Sequence, residues 1–251
     1  MSSLKKNLFL SVFGAAMSAS VAFAADLPEP PIIEYEPEAP IAIGSGWYLR
    51  GDMGLSAYTG GKGSWVNAYG TKVKFHDGDI ENGWLAGVGV GYYFDEHFRA
   101  DLTADYHSKV KYKAKAPCLD PCNHALDDSS ETTDFSAWTL MLNGYYDLTT
   151  WGAITPYVGA GAGLAYVRAS DYTSTSGYVF GDDGKTNFAW NLMAGAAFDV
   201  SDNLKLDANY RFMSFGKAQS DVPTSNSTEN PAKYEDLYAH QFRVGLRYDL
   251  N

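Results

Sequence analysis

The sequence predicts an all-β fold, eight antiparallel strands closed into an up-and-down barrel. Three observations predict it. From Gly46 onward, apolar and polar side chains alternate with period two, the period of a strand and not of a helix. The alternating stretches come to an even count of eight. The connections between them are short and long by turns, as in barrels whose two ends face different compartments.

The first strand covers 46–58, with Trp47, Leu49, Met53, Leu55 and Ala57 on one face and Tyr48, Arg50, Asp52 and Ser56 on the other. The second, 83–94, sets Trp84, Ala86, Val88, Val90, Tyr92 and Phe94 against Gly87, Gly89 and Gly91. The third, 98–112, sets Phe98, Ala100, Leu102, Ala104, Tyr106, Val110 and Tyr112 against Arg99, Asp101, Thr103, Asp105, His107, Lys109 and Lys111. The fourth, 133–148, turns Trp138, Leu140, Leu142, Tyr146 and Leu148 outward. The fifth, 155–168, turns Val158, Leu164 and Tyr166 outward and Gly159, Gly161 and Gly163 inward. The sixth, 187–200, shows Phe188, Trp190, Leu192, Phe198 and Val200. The seventh, 204–215, opposes Leu204, Leu206, Tyr210 and Phe212 to Lys205, Asp207, Asn209 and Arg211. The eighth, 238–250, opposes Phe242, Val244, Leu246, Tyr248 and Leu250 to Gln241, Arg243, Arg247 and Asp249. Segments 95–97, 149–154 and 201–203 are short turns, and 59–82, 113–132, 169–186 and 216–237 are long polar loops.

Ahead of the barrel, residues 1–24 read as a secretory signal. Lys5 and Lys6 precede an apolar run that ends at Ala22-Phe23-Ala24, with small residues where a peptidase cuts. Removing the two lysines moves the formal charge from −11 to −13. Residues 25–45 are rich in Pro and Glu and cannot bury apolar surface, so they read as an extended periplasmic arm. The barrel is expected over 46–251.

Alternation alone does not separate a membrane barrel from a soluble one, so the character of the apolar face decides. That face carries essentially no charge, and a charge at mid-bilayer costs roughly 2–4 kcal/mol. Aromatics gather at strand ends. Trp47, Phe94, Phe98, Tyr146, Phe198 and Tyr248 form one girdle, and Trp84, Tyr112, Trp138, Tyr166, Phe188, Trp190 and Tyr238 the other, as at headgroup boundaries. A mean hydropathy of −0.25 excludes a helical membrane bundle but suits a wall in which every second residue meets lipid. The reading is therefore a transmembrane barrel in the cell outer membrane. The charged face then points into the lumen, where Arg50, Asp52, Arg99, Asp101, Asp105, Lys109, Lys205, Asp207, Arg211, Arg243 and Arg247 form a network. Eight strands enclose only enough room for side chains, so the lumen is expected to be packed. The glycines of strands two and five are expected to make space for the long arginines.

Three segments carry a family resemblance: Gly46-Trp47-Tyr48-Leu49-Arg50-Gly51-Asp52, Thr155-Pro156-Tyr157-Val158-Gly159-Ala160-Gly161-Ala162-Gly163, and Ala208-Asn209-Tyr210-Arg211-Phe212. They resemble the small alphaproteobacterial outer-membrane β-barrel family, which is similar to OmpA-type and OmpX-type barrels and to porin-family surface proteins. The resemblance implies a surface-exposed structural protein, and some members are hemin binders or adhesins. It also implies recognition by the barrel assembly machinery through the C-terminal strand. Here that strand ends Tyr248-Asp249-Leu250-Asn251, without the usual terminal aromatic residue.

The sequence holds no nucleophile elbow, no zinc-protease helix motif and no phosphate loop, and a non-enzymatic protein without a cofactor is expected. The sharpest enzyme candidate is Asp105, His107 and Ser108, but strict alternation sends His107 and Ser108 to opposite faces. Cys118 and Cys122 read first as a local disulfide in an oxidising compartment, ahead of free thiols or a metal site. With His124, His76, Asp120, Asp127 and Asp128 nearby, surface heme or metal capture is an alternative, as are a narrow diffusion channel and an outer-membrane lipid hydrolase. The expected partners are outer-membrane lipid, lipopolysaccharide and a host or environmental ligand at the loops. The acidity argues against nucleic acid.

Overall fold

A computed structural model describes residues 46–66, 70–117, 128–175, 181–221 and 231–250. The signal, the arm and the Cys118–Cys122 pairing lie outside the described residues.

The described residues form ten strands. These are β1 (Trp47–Val66), β2 (Lys72–Lys74), β3 (His76–Ile80), β4 (Gly83–Tyr93), β5 (Phe98–Pro117), β6 (Asp128–Asp147), β7 (Ile154–Ser174), β8 (Asp183–Ser201), β9 (Leu204–Gln219) and β10 (Lys233–Leu250). Eight of them pair antiparallel in chain order, and β1 pairs with β10 from Trp47↔Leu250 to Ser64↔Lys233, which closes the ring. The two short strands, β2 and β3, belong to the first long connection and pair with the upper ends of β1 and β5. A closed ring leaves no unpaired edge within the bilayer, where an open edge would strand backbone polar groups.

Most of the long strands run past the limits set by the lipid-facing pattern. β5 reaches Pro117 and β6 begins at Asp128. The barrel therefore has two storeys. In the lower one, apolar side chains face out and polar ones face in. Met53, Val88, Leu142, Phe188 and Phe242 are each more than three-fifths exposed, while Arg99, Asp105, Asn143 and Arg211 are buried. In the upper storey the order reverses, and Val110, Tyr112, Phe135, Phe215 and Tyr234 are buried while Lys111, Lys113 and Lys115 are exposed.

In β1, β5, β7 and β10 the reversal is made by bulges, because one extra residue moves every later side chain to the other face. β6 keeps its parity throughout, and buries Phe135 together with Glu131 and Thr133 on the face that carries Met141 and Asn143 below. In β5 the register slips between His107 and Val110. In β7 it slips opposite Thr132 and Asp134, with Asp171 at φ 53°. In β1 the step falls at Gly60 and Gly61, at φ 94° and 73°. Positive φ is nearly free of cost for glycine alone. In β10 the register shifts between Tyr234 and Tyr238.

This corrects the reading of the third strand. Val110 and Tyr112 do not face lipid, and Tyr112 does not belong to the upper girdle. It is 1% exposed and packs edge-on against Tyr234 at 5.4 Å. The physical reason is the change of medium. Above the headgroups the outside is water, so the strand turns its lysines out and its apolar residues in. The girdle position assigned to Tyr112 is filled by Tyr106, whose ring lies 5.7 Å from Trp84 and 4.9 Å from Trp138.

Candidate functional site

The lower lumen is filled by five arginines and five aspartates, all buried: Arg50, Arg99, Arg211, Arg243 and Arg247 with Asp52, Asp101, Asp105, Asp147 and Asp207. Arg50 lies at the centre. Its Nε and Nη2 donate to the two oxygens of Asp52 at 3.0 and 2.6 Å, and its Nη1 donates to Asp101 and to Tyr145, both at 2.8 Å. Asp101 also accepts from Tyr48, Tyr145 and Asn143. Arg243 grips both oxygens of Asp105 at 2.5 and 3.2 Å, and Arg211 approaches the same carboxylate at 3.5 Å. Arg99 donates to Asp147 at 3.0 Å, with its guanidinium 3.8 Å over the Tyr145 ring. Arg247 stands 3.7 Å from Asp207, which also accepts from Tyr157. The lattice balances its charges, and most of its donors find partners inside it. Arg99 Nη2, Arg211 Nε, Arg243 Nε and both Nε and Nη1 of Arg247 are nevertheless buried without a hydrogen bond among the described residues.

The lattice is possible because glycines face it. A Cβ on Gly87 would collide with Asp105, one on Gly91 with the Tyr48 ring, and one on Gly89 would crowd Arg50. The glycines of β7 serve other neighbours. Gly159 leaves room for Tyr145 and Gly161 for Asn143, not for arginines.

Two residues assigned to the lumen network lie elsewhere. The bulge of β5 swings Lys109 outward, where its half-exposed Nζ sits 2.6 Å from Asp171 and 3.7 Å from Asp134. Lys205, beside the turn that opens β9, pairs with Asp199 at 2.6 Å at the periplasmic rim. Sequence reasoning did not name Asp147, Tyr145 and Tyr157 for the lumen, and it placed Tyr48 on the lumen face without a part in the network. Asp147 shares the parity of Asn143 and Tyr145, which was the available signal.

The same bulge buries both His107 and Ser108, so they do not face opposite sides. Ser108 Oγ accepts the backbone N–H of Trp84 at 3.0 Å, His107 Nε2 faces Thr139 Oγ1 at 3.5 Å, and Asp105 is held by arginines. These contacts bind the three residues to separate partners and not into a relay.

Above the lattice, His107 meets Phe215 edge-on at 4.9 Å, and from there an apolar core caps the interior. The void among Tyr58, Phe135, Phe215 and Leu237 is only about 10 Å³. On the outer surface of this storey Lys113 pairs with Glu81 at 2.8 Å, holding that carboxyl below its ordinary range, and His76 meets Asp128 at 2.9 Å. The other Cys, His and Asp residues of the suggested heme or metal loop, 118–127, lie outside the described residues.

A closed antiparallel ring with an apolar belt, two aromatic girdles and a filled polar interior defines a small outer-membrane β-barrel. The chain belongs to the outer membrane protein β-barrel domain family, whose model matches residues 11–249. It is 30% identical over 226 residues to the outer membrane protein PagN of Salmonella typhimurium, spanning 81% of this chain and 89% of that one. It is 26% identical to a candidate adhesin of Rickettsia felis, over 98% of this chain and all of the other. Among solved structures, the outer membrane protein OprG of Pseudomonas aeruginosa superposes with a TM-score of 0.52 at 14% identity, over 82% of this chain and 98% of that one. The protein resides in the cell outer membrane.

Proposed function

We propose that the barrel is a surface-interaction protein, presenting its four extracellular loops to a host or environmental ligand, and not a diffusion channel or an enzyme. One observation carries this reading: the interior is occupied along its length, by the ion-pair lattice below and by the apolar core above. Side chains filling the interior among the described residues argue against a continuous water path, and the upper storey would lift the loops clear of the headgroups on a rigid stalk. Loops on a rigid scaffold are where binding residues concentrate. The name of the Rickettsia felis relative agrees with this reading.

Binding of whole cells with and without the protein to immobilised matrix proteins and to hemin tests it. The reading expects binding to a matrix protein that disappears when residues 118–127 are replaced by a short Gly-Ser turn. Heme-dependent binding lost on the same replacement would move the reading to heme capture. Equal binding by both cell types, with faster uptake of small solutes by cells carrying the protein, would overturn it.

A further inference from the structure

The outer wall carries a pocket at the extracellular girdle, across β5, β6 and β7, with a volume of about 380 Å³. Trp138 and Tyr166, directly opposed across β6 and β7, line its membrane side. Four charged residues, Lys109, Arg168, Asp171 and Asp182, line it further out, and Tyr106, Ser136 and Ser170 complete the wall. The four are one network. Lys109 Nζ lies 2.6 Å from Asp171, Arg168 Nη2 lies 3.1 Å from Asp182, and the Asp171 N–H donates to Asp182 at 3.2 Å.

Two backbone irregularities build this pocket. The β5 bulge turns Lys109 out, and the β7 bulge holds Asp171 at φ 53°. Aspartate is one of the few residues other than glycine that adopt this left-handed conformation readily, so the bulge is compatible with the sequence at this position. Tyr166 finds its place because Gly184 has no side chain, since a Cβ there would strike the phenol.

We propose that this pocket binds the sugar headgroup of an outer-leaflet glycolipid. A sugar ring has an apolar C–H face and a rim of hydroxyls. The rings of Trp138 and Tyr166 match the face. The rim needs acceptors and donors together. The carboxylates of Asp171 and Asp182 accept, and Lys109 and Arg168 donate. Each cation is already held by a carboxylate, so binding immobilises little that is free. The two charges of each sign balance, which suits a hydroxylated ligand better than a bare anion. The height selects a lipid-borne sugar over a soluble one. The girdle marks the headgroup boundary, and directly below it Leu140 and Leu164 oppose each other on the lipid face, where acyl chains would run. This inference needs only the membrane placement and not the loop-ligand reading.

The test is native mass spectrometry of the full-length barrel released from phosphatidylethanolamine nanodiscs doped with lipid A whose phosphates have been removed, leaving an acylated amino-sugar disaccharide. The wild type should retain this lipid. Arg168→Ala, Asp171→Asn and Trp138→Leu should each weaken retention about tenfold, the effect of losing one good contact. Lys113→Ala, on the water-facing surface away from the pocket, should retain it fully. The deacylated disaccharide should displace this lipid from the wild type, a readout that needs no variant. Equal retention by wild type and Arg168→Ala, failure of the disaccharide to compete, or displacement by inorganic phosphate alone would overturn the proposal. The last result would mark a simple anion site.

Discussion

Arg243 and Asp105 stand 138 positions apart in the chain and are joined by two hydrogen bonds, at 2.5 and 3.2 Å, across the middle of the lumen. Both side chains are fully buried, and the pair ties β10 to β5 through the interior. Removing one partner of such a pair leaves a buried charge unpaired, which costs roughly 3–5 kcal/mol. Arg211 remains 3.5 Å from Asp105, so Arg243→Ala should fall at the lower end, about 3 kcal/mol. Urea unfolding of the barrel in lipid vesicles measures it. A loss under about 1 kcal/mol would mean that water enters and solvates Asp105.

The reversal of facing at the β5 bulge gives a labelling pattern. In a background with Cys118→Ser and Cys122→Ser, Lys111→Cys should react on intact cells with a membrane-impermeant maleimide. Tyr112→Cys should not, because the side chain lies in the cap. The opposite pattern, Tyr112→Cys reactive and Lys111→Cys protected, would restore unbroken alternation through β5.

The apolar belt is exposed because its solvent is lipid. Val88 is 66% exposed in mid-strand. Val88→Arg should therefore destabilise the barrel by roughly 2–4 kcal/mol in bilayers. On a water-soluble barrel the same exposed substitution would be worth within about 0.5 kcal/mol. Unfolding in vesicles against urea separates the two.

Asp95 caps the turn before β5, where one carboxylate oxygen accepts the N–H groups of His97 and Phe98, both at 2.7 Å. Those bonds favour the ionised form and hold its pKa below the usual carboxylate range. A lowered folded-state pKa gives stability that is present above the unfolded value, about 3.9, and fades as pH falls through the folded value. Asp95→Ala should therefore destabilise the barrel at pH 7, and the difference from wild type should shrink on acidification below about pH 4. A difference that stays constant with pH would assign the effect to the turn backbone alone.

The lower storey was legible because lipid imposes one rule on every strand. Leu102 and Leu140 could face only outward, and Asp101 and Arg99 only inward. The strand count and the alternation of turns and loops followed. The upper storey was not legible, because a bulge leaves only faint marks in a list of residues. Lys109, Lys111, Lys113 and Lys115 alternate with Val110, Tyr112, Ala114 and Ala116 in the parity of the strand below, and parity does not say where the medium changes. Ser108, a polar residue on the apolar face, and the adjacent Gly60-Gly61 were local signs. Lumen partners were legible as a set of charges and not as pairs, since pairing such as Arg243 with Asp105 depends on closure across the ring.

Single-channel recording in planar bilayers tests the central claim most directly, that this barrel is closed along its whole length. Wide aqueous channels need roughly sixteen strands or more, and eight leave an interior that side chains fill. The purified protein should insert without any large, steady conductance. Porin-sized current steps from the pure monomer would contradict the packed lumen and replace surface interaction with diffusion as the function.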